Sequence, residues 1–427
     1  MKHYLNKLPQ DIRGIIHNIS QAAVEERVSA YLVGGFVRDL ILGEPNFDLD
    51  LTVDGDAIKL AQNLARKFQA RIVIHKRFGT ATLTFCHKKI DFATSRKECY
   101  PESACLPVVS PSSLKDDLAR RDFSINAMAI EISNKNFGRL IDHFNGKEDL
   151  DNKKIRVLHN LSFIDDPTRI LRAIRFEQRY GFNIEANTMA LLKDAVNLSM
   201  LDVVEPQRIR DEIILLLKEK DPVPALKRLN SLAGLKFIHP CLKLKRAGFS
   251  LLRNVSRQIA EFSRNYPGLR RLDTWLIYFC ALVDGLSLKN SEAVCRKFVF
   301  RKGEEKRIIA YKKIKRGLIS KLCDKKIKFS GIYELLEAQS YEVVFMVRVR
   351  FANNVLNANV DHFFNRLSTT RIHTSGNDLH QLGLEPGPGY QKIFKQVLDA
   401  KLNNTVKNKQ EELALIKQLI KKHGETK

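Results

Sequence analysis

The alternation of apolar and polar positions divides the chain into three stretches of different character. Residues 1–27 follow an amphipathic helical rhythm and predict a lead-in helix. From Tyr31 to Ile132 the rhythm shortens to β-branched runs, "YLVG", "DLDLTV", "ARIVIH", "TATLTF", "KIDFAT" and "NAMAIEI", separated by turns and at least two helices. This predicts an α/β head built on a small sheet. Beyond "IDHFNGKEDLDNKKIRVL" strand signals stop, and from Asp166 onward "DPTRILRAIRFEQRYGF", "TMALLKDAVN" and "EPQRIRDEIILLLK" read as successive helices. The expected segments are a lead-in helix (1–27), a head (28–150), and a helical neck (151–225), body (226–365) and tail (366–427).

Charge changes the picture from a generic helical protein to a partner of polyanions. The 427 residues carry 72 Lys and Arg against 48 Asp and Glu, a net charge of +24. Twelve basic and three acidic residues fall between Arg301 and Phe329, a footprint that suits a phosphate backbone as well as a solvated helix face. No run approaches the ~20 apolar residues of a membrane span, so no membrane partner is expected. The amino-terminal "MKHYLNKLPQDIRGI" has no signal-like apolar core, which predicts a soluble, cytoplasmic protein. The seven cysteines lack metal or redox spacing and read as reduced, mostly buried thiols.

The stretch "YLVGGFVRDLILGEPNFDLDLTV" carries the candidate chemistry. Gly34 and Gly35 end an apolar strand where bare backbone can approach a ligand, and a helix starting near Phe36 would turn its positive end toward that ligand. In "FDLDL", Asp48 and Asp50 alternate with Phe47, Leu49 and Leu51, so on a strand both carboxylates share one face. Such a pair suits a hard divalent cation, Mg²⁺, completed by phosphate and water oxygens. An edge strand with a polar face would show the same alternation.

Four ordered motifs, "LVGGFVRDLILGEPNFDLDL", "RRDFSINAMA", "DHFNGKEDL" with "IRVL", and "DDPTRILRAIRFEQRYGF", resemble the class II tRNA nucleotidyltransferase and bacterial poly(A) polymerase family. The match runs from about Tyr31 to Leu217, and "TSGNDLHQLGLEPGPGYQKIF" resembles the family's carboxy-terminal segment. The resemblance implies an α+β fold, a nucleotidyltransferase-type small mixed sheet followed by an all-helical neck, body and tail. It makes Asp48 and Asp50 the ligands of Mg²⁺ and Asp91 of "KIDFATSR" a third catalytic carboxylate. Gly34, Gly35, Arg38 and Asp39 would cradle the triphosphate. Arg121, Asp122 and Asn126 would contact sugar hydroxyl and phosphate, unless Arg120 to Asp122 form a structural salt-bridge knot.

Asp166 and Arg169 carry the specificity argument. ATP and CTP both present an exocyclic amine beside an unprotonated ring nitrogen, which a carboxylate and a guanidinium on one helix face can select. The family's usual Glu before this Asp is Asp165 here, one methylene shorter. "DDPTR" is also a good helix start. Arg172 and Arg175 continue the basic face toward nucleotide phosphate or solvent, and Arg208 with Glu212, four apart, would brace the nucleotide-binding helix. The loop from Lys97 to Ser112 has the family length associated with A addition, which argues against a CC-only enzyme. The implied partners are tRNA, ATP and CTP, and the implied activity is addition of C, A or both to a tRNA 3′ end. A poly(A) polymerase and a non-catalytic RNA-binding protein on the same fold are the alternatives.

Overall fold

The computed structural model describes residues 1–45, 48–86, 88–99, 103–105, 108–133, 136–351 and 353–424. Phe47 of the "FDLDL" alternation and Pro101 and Pro107 of the loop lie outside the described residues. The chain divides into two compact units, residues 1–216 with 224–233, and residues 217–223 with 234–427.

In the first unit the lead-in is two helices, Lys2–Asn6 and Gln10–Glu25, the second burying Ile12, Ile15, Ile16, Ile19, Ala22 and Ala23 at helical spacing. The strands are β1 (Ser29–Val33), β2 (Leu49–Asp54), β3 (Arg71–His75), β4 (Thr80–Phe85), β5 (Lys88–Thr94), β6 (Arg96–Cys99), β7 (Val108–Pro111), β8 (Met128–Glu131), β9 (Leu140–Asp142), β10 (Lys154–Ile155) and β11 (Asn183–Ile184). Seven of them form one mixed sheet in the order β3-β4-β5-β2-β1-β8-β9. Strand β2 lies in the middle, antiparallel to β1 and parallel to β5. A parallel neighbour needs a crossover, and the helix Ala57–Phe68 supplies it. That helix is capped where Asp56 accepts the Lys59 N–H at 2.9 Å, and it buries Ala57, Leu60, Ala61, Leu64 and Ala65.

All six strand runs read from the sequence belong to this sheet. The expected loop from Lys97 to Ser112 instead contains a hairpin, β6 paired antiparallel with β7. The expected helical neck holds β11, which pairs with β10 in a small parallel ladder. Two-residue strands are too short to leave a period in the sequence.

The second unit is helical. Its helix Thr274–Leu282 is buried on every side from Trp275 to Leu282, as expected for the centre of an all-helical unit. Phe262 meets Phe345 and Phe364 edge-on beside it. The carboxy-terminal helices Pro388–Leu402 and Lys409–Gly424 contribute to a separate apolar cluster around Leu379, Ile393, Val397 and Ile416. Among the described residues no helix is long and apolar enough to cross a membrane. The cysteines are free, but only Cys280 and Cys295 are buried. The expectation of mostly buried thiols is thereby corrected: Cys86 and Cys99 sit at strand ends and Cys241 in a loop, where packing does not reach them.

Candidate active site

Strand β1 ends at Gly34, whose φ of +67° and ψ of −128° lie where only glycine is at ease. A Cβ there would stand 2.3 Å from Nη1 of Arg121. Gly34 therefore permits one specific approach, that of the Arg121 guanidinium to the backbone. Gly35 opens the helix Gly35–Leu42, one residue before the expected start, and a Cβ there would meet only Nη2 of Arg38 at 3.5 Å.

The "DLDL" alternation is realised. Asp48 and Asp50 are exposed while Leu49 and Leu51 are buried. The parallel register sets Asp50 directly beside Asp91 on β5, so a third carboxylate faces the same way. Asp91 Oδ1 accepts from the Thr82 hydroxyl at 2.5 Å and Oδ2 from Lys89 Nζ at 2.5 Å. Partial desolvation of the carboxyl within the cleft, then the charge of Asp91, push Asp50 above the ordinary range; Arg121 opposes this, Asp48 adds to it and Lys89 opposes it least. An all-oxygen donor set under mutual repulsion fits a hard divalent cation. Among the described residues no three His, Cys, Asp or Glu side chains close round one ion. Substrate phosphate and water would have to complete the coordination, as Mg²⁺ commonly requires.

Asp50 also opens into a cleft of about 610 Å³. Gly35, Arg38, Arg121, Asp122 and Asn126 line it from the head, and Asp166, Arg169 and Arg172 from the helical neck. Asp50, Asp91 and Arg121 border an adjoining pocket of about 280 Å³. Gly34 lies beneath Arg121, while Asp39 is fully buried behind Arg38 and does not reach the cleft. Arg38 Nε donates to Asp39 at 2.8 Å, its Nη1 donates to Asn126 Oδ1 at 2.5 Å, and its guanidinium stacks over Phe176 and Tyr180. Asp39 thus bears on the cleft only through Arg38, and it also accepts from the Tyr180 hydroxyl at 3.1 Å.

The "RRD" residues form the structural knot that their sequence allowed, and they also line the cleft. Arg120 and Arg121 clasp the buried Asp117 at 2.8 and 3.2 Å, a structural knot. Arg121 nevertheless faces Asp50 and the cleft, and its buried Nε has no hydrogen-bond partner among the described residues. Asp122 accepts from Asn126 Nδ2 at 2.9 Å and from Arg172 at 2.6 and 2.8 Å. Burial opposes its ionisation, but Arg172 and Asn126 outweigh this and lower its carboxyl to about 2. Arg172 and Arg175 both reach Glu212, at 3.0 and 3.4 Å, Arg175 buried and Arg172 part-exposed in the cleft wall.

Asp166 precedes its helix, which begins at Thr168. The pair is therefore not set by helical periodicity as expected. Asp166 Oδ1 caps the Thr168 N–H at 3.1 Å and accepts from Arg208 at 2.7 Å; among the described residues no hydrogen bond falls on Oδ2, and the residue lines the cleft. Arg169 is fixed by Ser162 Oγ at 2.5 Å and the Arg120 carbonyl at 2.8 Å. Both line the cleft that Asp50 enters.

Two family models match this chain: the poly A polymerase head domain over residues 30–156, and the probable RNA and SrmB-binding site of polymerase A over residues 181–245. The A-adding tRNA nucleotidyltransferase of Halalkalibacterium halodurans is 32% identical over 427 residues, 97% of this chain and 94% of that protein. The chain belongs to the class II tRNA nucleotidyltransferase family. The A-adding member from Geobacter sulfurreducens is 36% identical over 97% of this chain, which spans only 48% of that protein. Among solved structures, the family's CCA-adding enzyme in apo form II aligns with a TM-score of 0.74 at 31% identity, over 97% of each chain. The Thermotoga maritima CCA-adding enzyme complexed with tRNA aligns at 0.70 and 30%, over 98% of each.

In this member of the tRNA nucleotidyltransferase family the cleft also contains Glu98, Arg120, Phe176, Arg208 and Glu212, which sequence reading left out or treated as bracing. Arg208 bonds Asp166 and the Ala104 carbonyl at the hairpin tip. Glu212 bridges Arg172 and Arg175 as a brace should, but it does so in the cleft wall. The Phe176 ring contacts the guanidinium of Arg172 four residues earlier at 5.4 Å; that i, i+4 spacing was the signal available. A cavity of about 1020 Å³ lies in the second unit beside Lys243, Lys245, Arg253, Arg257 and Arg350. Of the twelve basic residues from Arg301 to Lys328, all but Arg307 and Lys312 are exposed. Arg307 turns in to Asp273, and Lys312 to the Asp284 carbonyl.

Proposed function

We propose that the protein transfers AMP from ATP to the 3′ end of tRNA without a nucleic-acid template, releasing pyrophosphate. The observation that carries this reading is one cleft holding Asp50 at one wall and the base-edge pair Asp166 and Arg169 at another. Asp166 Oδ2 would accept from the adenine amine while Arg169 donates to the ring nitrogen, and guanine or uracil would leave both unpaired. Arg121, with its unsatisfied Nε, and Arg38, stiffened by Asp39, would receive the triphosphate. Asp48 and Asp50 would hold Mg²⁺, with Asp91 beside them. Bound there, the ion would activate the RNA 3′-hydroxyl and neutralise charge on the leaving pyrophosphate. The exposed basic residues of the second unit would meet RNA backbone. Action in the cytoplasm is part of the same reading.

Addition of A alone is supported by the relatives of Geobacter and Halalkalibacterium, both named A-adding and both aligned over 97% of the chain. Full CCA addition is the second reading, supported by the end-to-end likeness to CCA-adding enzymes. Incubating tRNA ending at the discriminator base, at C or at CC with single labelled nucleotides and Mg²⁺ separates them. Label from ATP on the CC-ending substrate alone is expected. Incorporation of CTP on the shorter ends would establish the second reading, and no incorporation on any end would refute both.

A further inference from the structure

We infer that Lys89 is the fourth charge of the carboxylate cluster and sets how tightly that cluster takes a divalent cation. The inference rests on the reading of Asp48 and Asp50 as metal ligands. The β2 and β5 ladder pairs Leu49 with Ile90 and Asp50 with Asp91. Asp48 immediately precedes β2, and extending the register by one residue sets it opposite Lys89. Leu49 and Ile90 are buried, so alternation puts Asp48, Asp50, Lys89 and Asp91 on the opposite face, as two adjacent columns. Neighbouring strands are about 4.8 Å apart and alternate residues roughly 6.6 Å, which leaves the ammonium within reach of all three acids. It already donates to Asp91 Oδ2 at 2.5 Å, while the Thr82 hydroxyl occupies Oδ1.

A cation drawn to these oxygens therefore meets a resident one. For Asp91 to turn an oxygen to a metal ion, Lys89 must let go, and its 59% exposed side chain is free to do so. The ammonium offsets part of the negative charge that would otherwise draw a divalent ion to this face. Weak loading follows: the ion is held firmly only when a triphosphate contributes its own oxygens and gives the displaced ammonium a phosphate to contact. Arg121, which lines the same pocket as Asp50, is tied to the buried Asp117 and does not make the same exchange.

The test is an electron paramagnetic resonance titration of Mn²⁺ with the full chain, without RNA, for wild type, Lys89→Met, Lys89→Arg and Asp50→Asn. Lys89→Met is expected to bind Mn²⁺ on the order of fivefold tighter without nucleotide, since it removes one screened unit repulsion. Lys89→Arg should stay within about twofold of wild type, because the charge is kept. Added ATP should narrow the gap between wild type and Lys89→Met, and equal melting temperatures would show that the exposed substitution leaves folding alone. If wild type binds Mn²⁺, Asp50→Asn does not, and Lys89→Met binds no tighter than wild type, the role given to Lys89 is wrong. If wild type and Asp50→Asn bind alike, the metal-ligand reading itself fails and the inference with it.

Discussion

Gly34→Ala and Gly35→Ala, made separately, should behave oppositely although the two glycines are adjacent. At Gly34 the backbone sits at φ +67° and ψ −128°, which costs a non-glycine residue about 1–3 kcal/mol. The added Cβ would also stand 2.3 Å from Arg121 Nη1, so that guanidinium must retreat by roughly 1 Å to reach ordinary contact. Its 3.2 Å ion pair with the buried Asp117 then weakens. Arg120 still holds Asp117 at 2.8 Å, so this loss is about 1 kcal/mol rather than that of an orphaned charge. The sum is roughly 2–4 kcal/mol, equivalent to a fall of about 5–12 °C in the melting temperature of a unit this size. At Gly35 the backbone is helical and the nearest atom stands at 3.5 Å, so alanine should be neutral or stabilise slightly. Differential scanning calorimetry reads both variants. Equal melting temperatures for Gly34→Ala and wild type would refute the strain and the place assigned to Arg121.

Other consequences follow from the same contacts. Asp166→Ala or Arg169→Ala should reduce the preference for ATP over GTP by roughly 10- to 100-fold while tRNA affinity holds, and unchanged rejection of GTP in single-nucleotide assays would overturn the base-edge assignment. Burial resists ionisation of Glu342, but Arg270 at 2.7 Å and the Asp273 N–H at 3.1 Å more than offset it and hold its carboxyl at about 2. A depressed acid stabilises the fold above its unfolded value, here 4.5, so this contribution should be complete near neutrality and lost as pH falls from there toward 2. Urea titrations of Glu342→Gln should therefore show a shallower loss of stability across that window than wild type, and parallel curves would count against the assignment. Reversing Lys315, Lys321, Lys325 and Lys326, all exposed, should raise the KM for tRNA severalfold and flatten its salt dependence without changing the KM for ATP; an unaltered salt slope would leave this surface a solvated face.

The elements that set the site were legible because each rests on a local rule. Leu49 and Leu51 against Asp48 and Asp50 is a period-two pattern, and the strand obeys it. The glycine turn was legible as a pair, but only backbone angles separate a strained Gly34 from an ordinary Gly35. Asp166 and Arg169 do line one cleft, but helical spacing is not what brings them there. Their convergence comes from a cap at Thr168 and from clamps by Arg208, Ser162 and the Arg120 carbonyl, contacts made across the fold. Asp122, Asn126 and Arg172 form a chain of hydrogen bonds that no spacing rule predicts. The hairpin β6 and β7 was invisible because four-residue strands bordered by prolines carry almost no periodic signal.

The charges of the cleft sharpen what the fold asks of each region. Six arginines line it, Arg38, Arg120, Arg121, Arg169, Arg172 and Arg208, against six acids, Asp50, Glu98, Asp122, Asp166, Asp211 and Glu212. A chain with a net charge of +24 thus keeps this cleft formally neutral. Long-range attraction for the RNA of the proposed function would then come from elsewhere, and the exposed lysines and arginines between Arg301 and Lys328 would supply it. Inside the cleft most guanidiniums already hold a carboxylate or a carbonyl, so a ligand gains affinity only where its atoms match groups left with spare capacity. Arg121 Nε and Asp166 Oδ2 are such groups, and a triphosphate joined to an adenine edge offers an oxygen to the first and an amine to the second. On the proposed reading, selectivity would come from geometry in a neutral cleft, and capture of RNA from exposed basic residues of the helical unit.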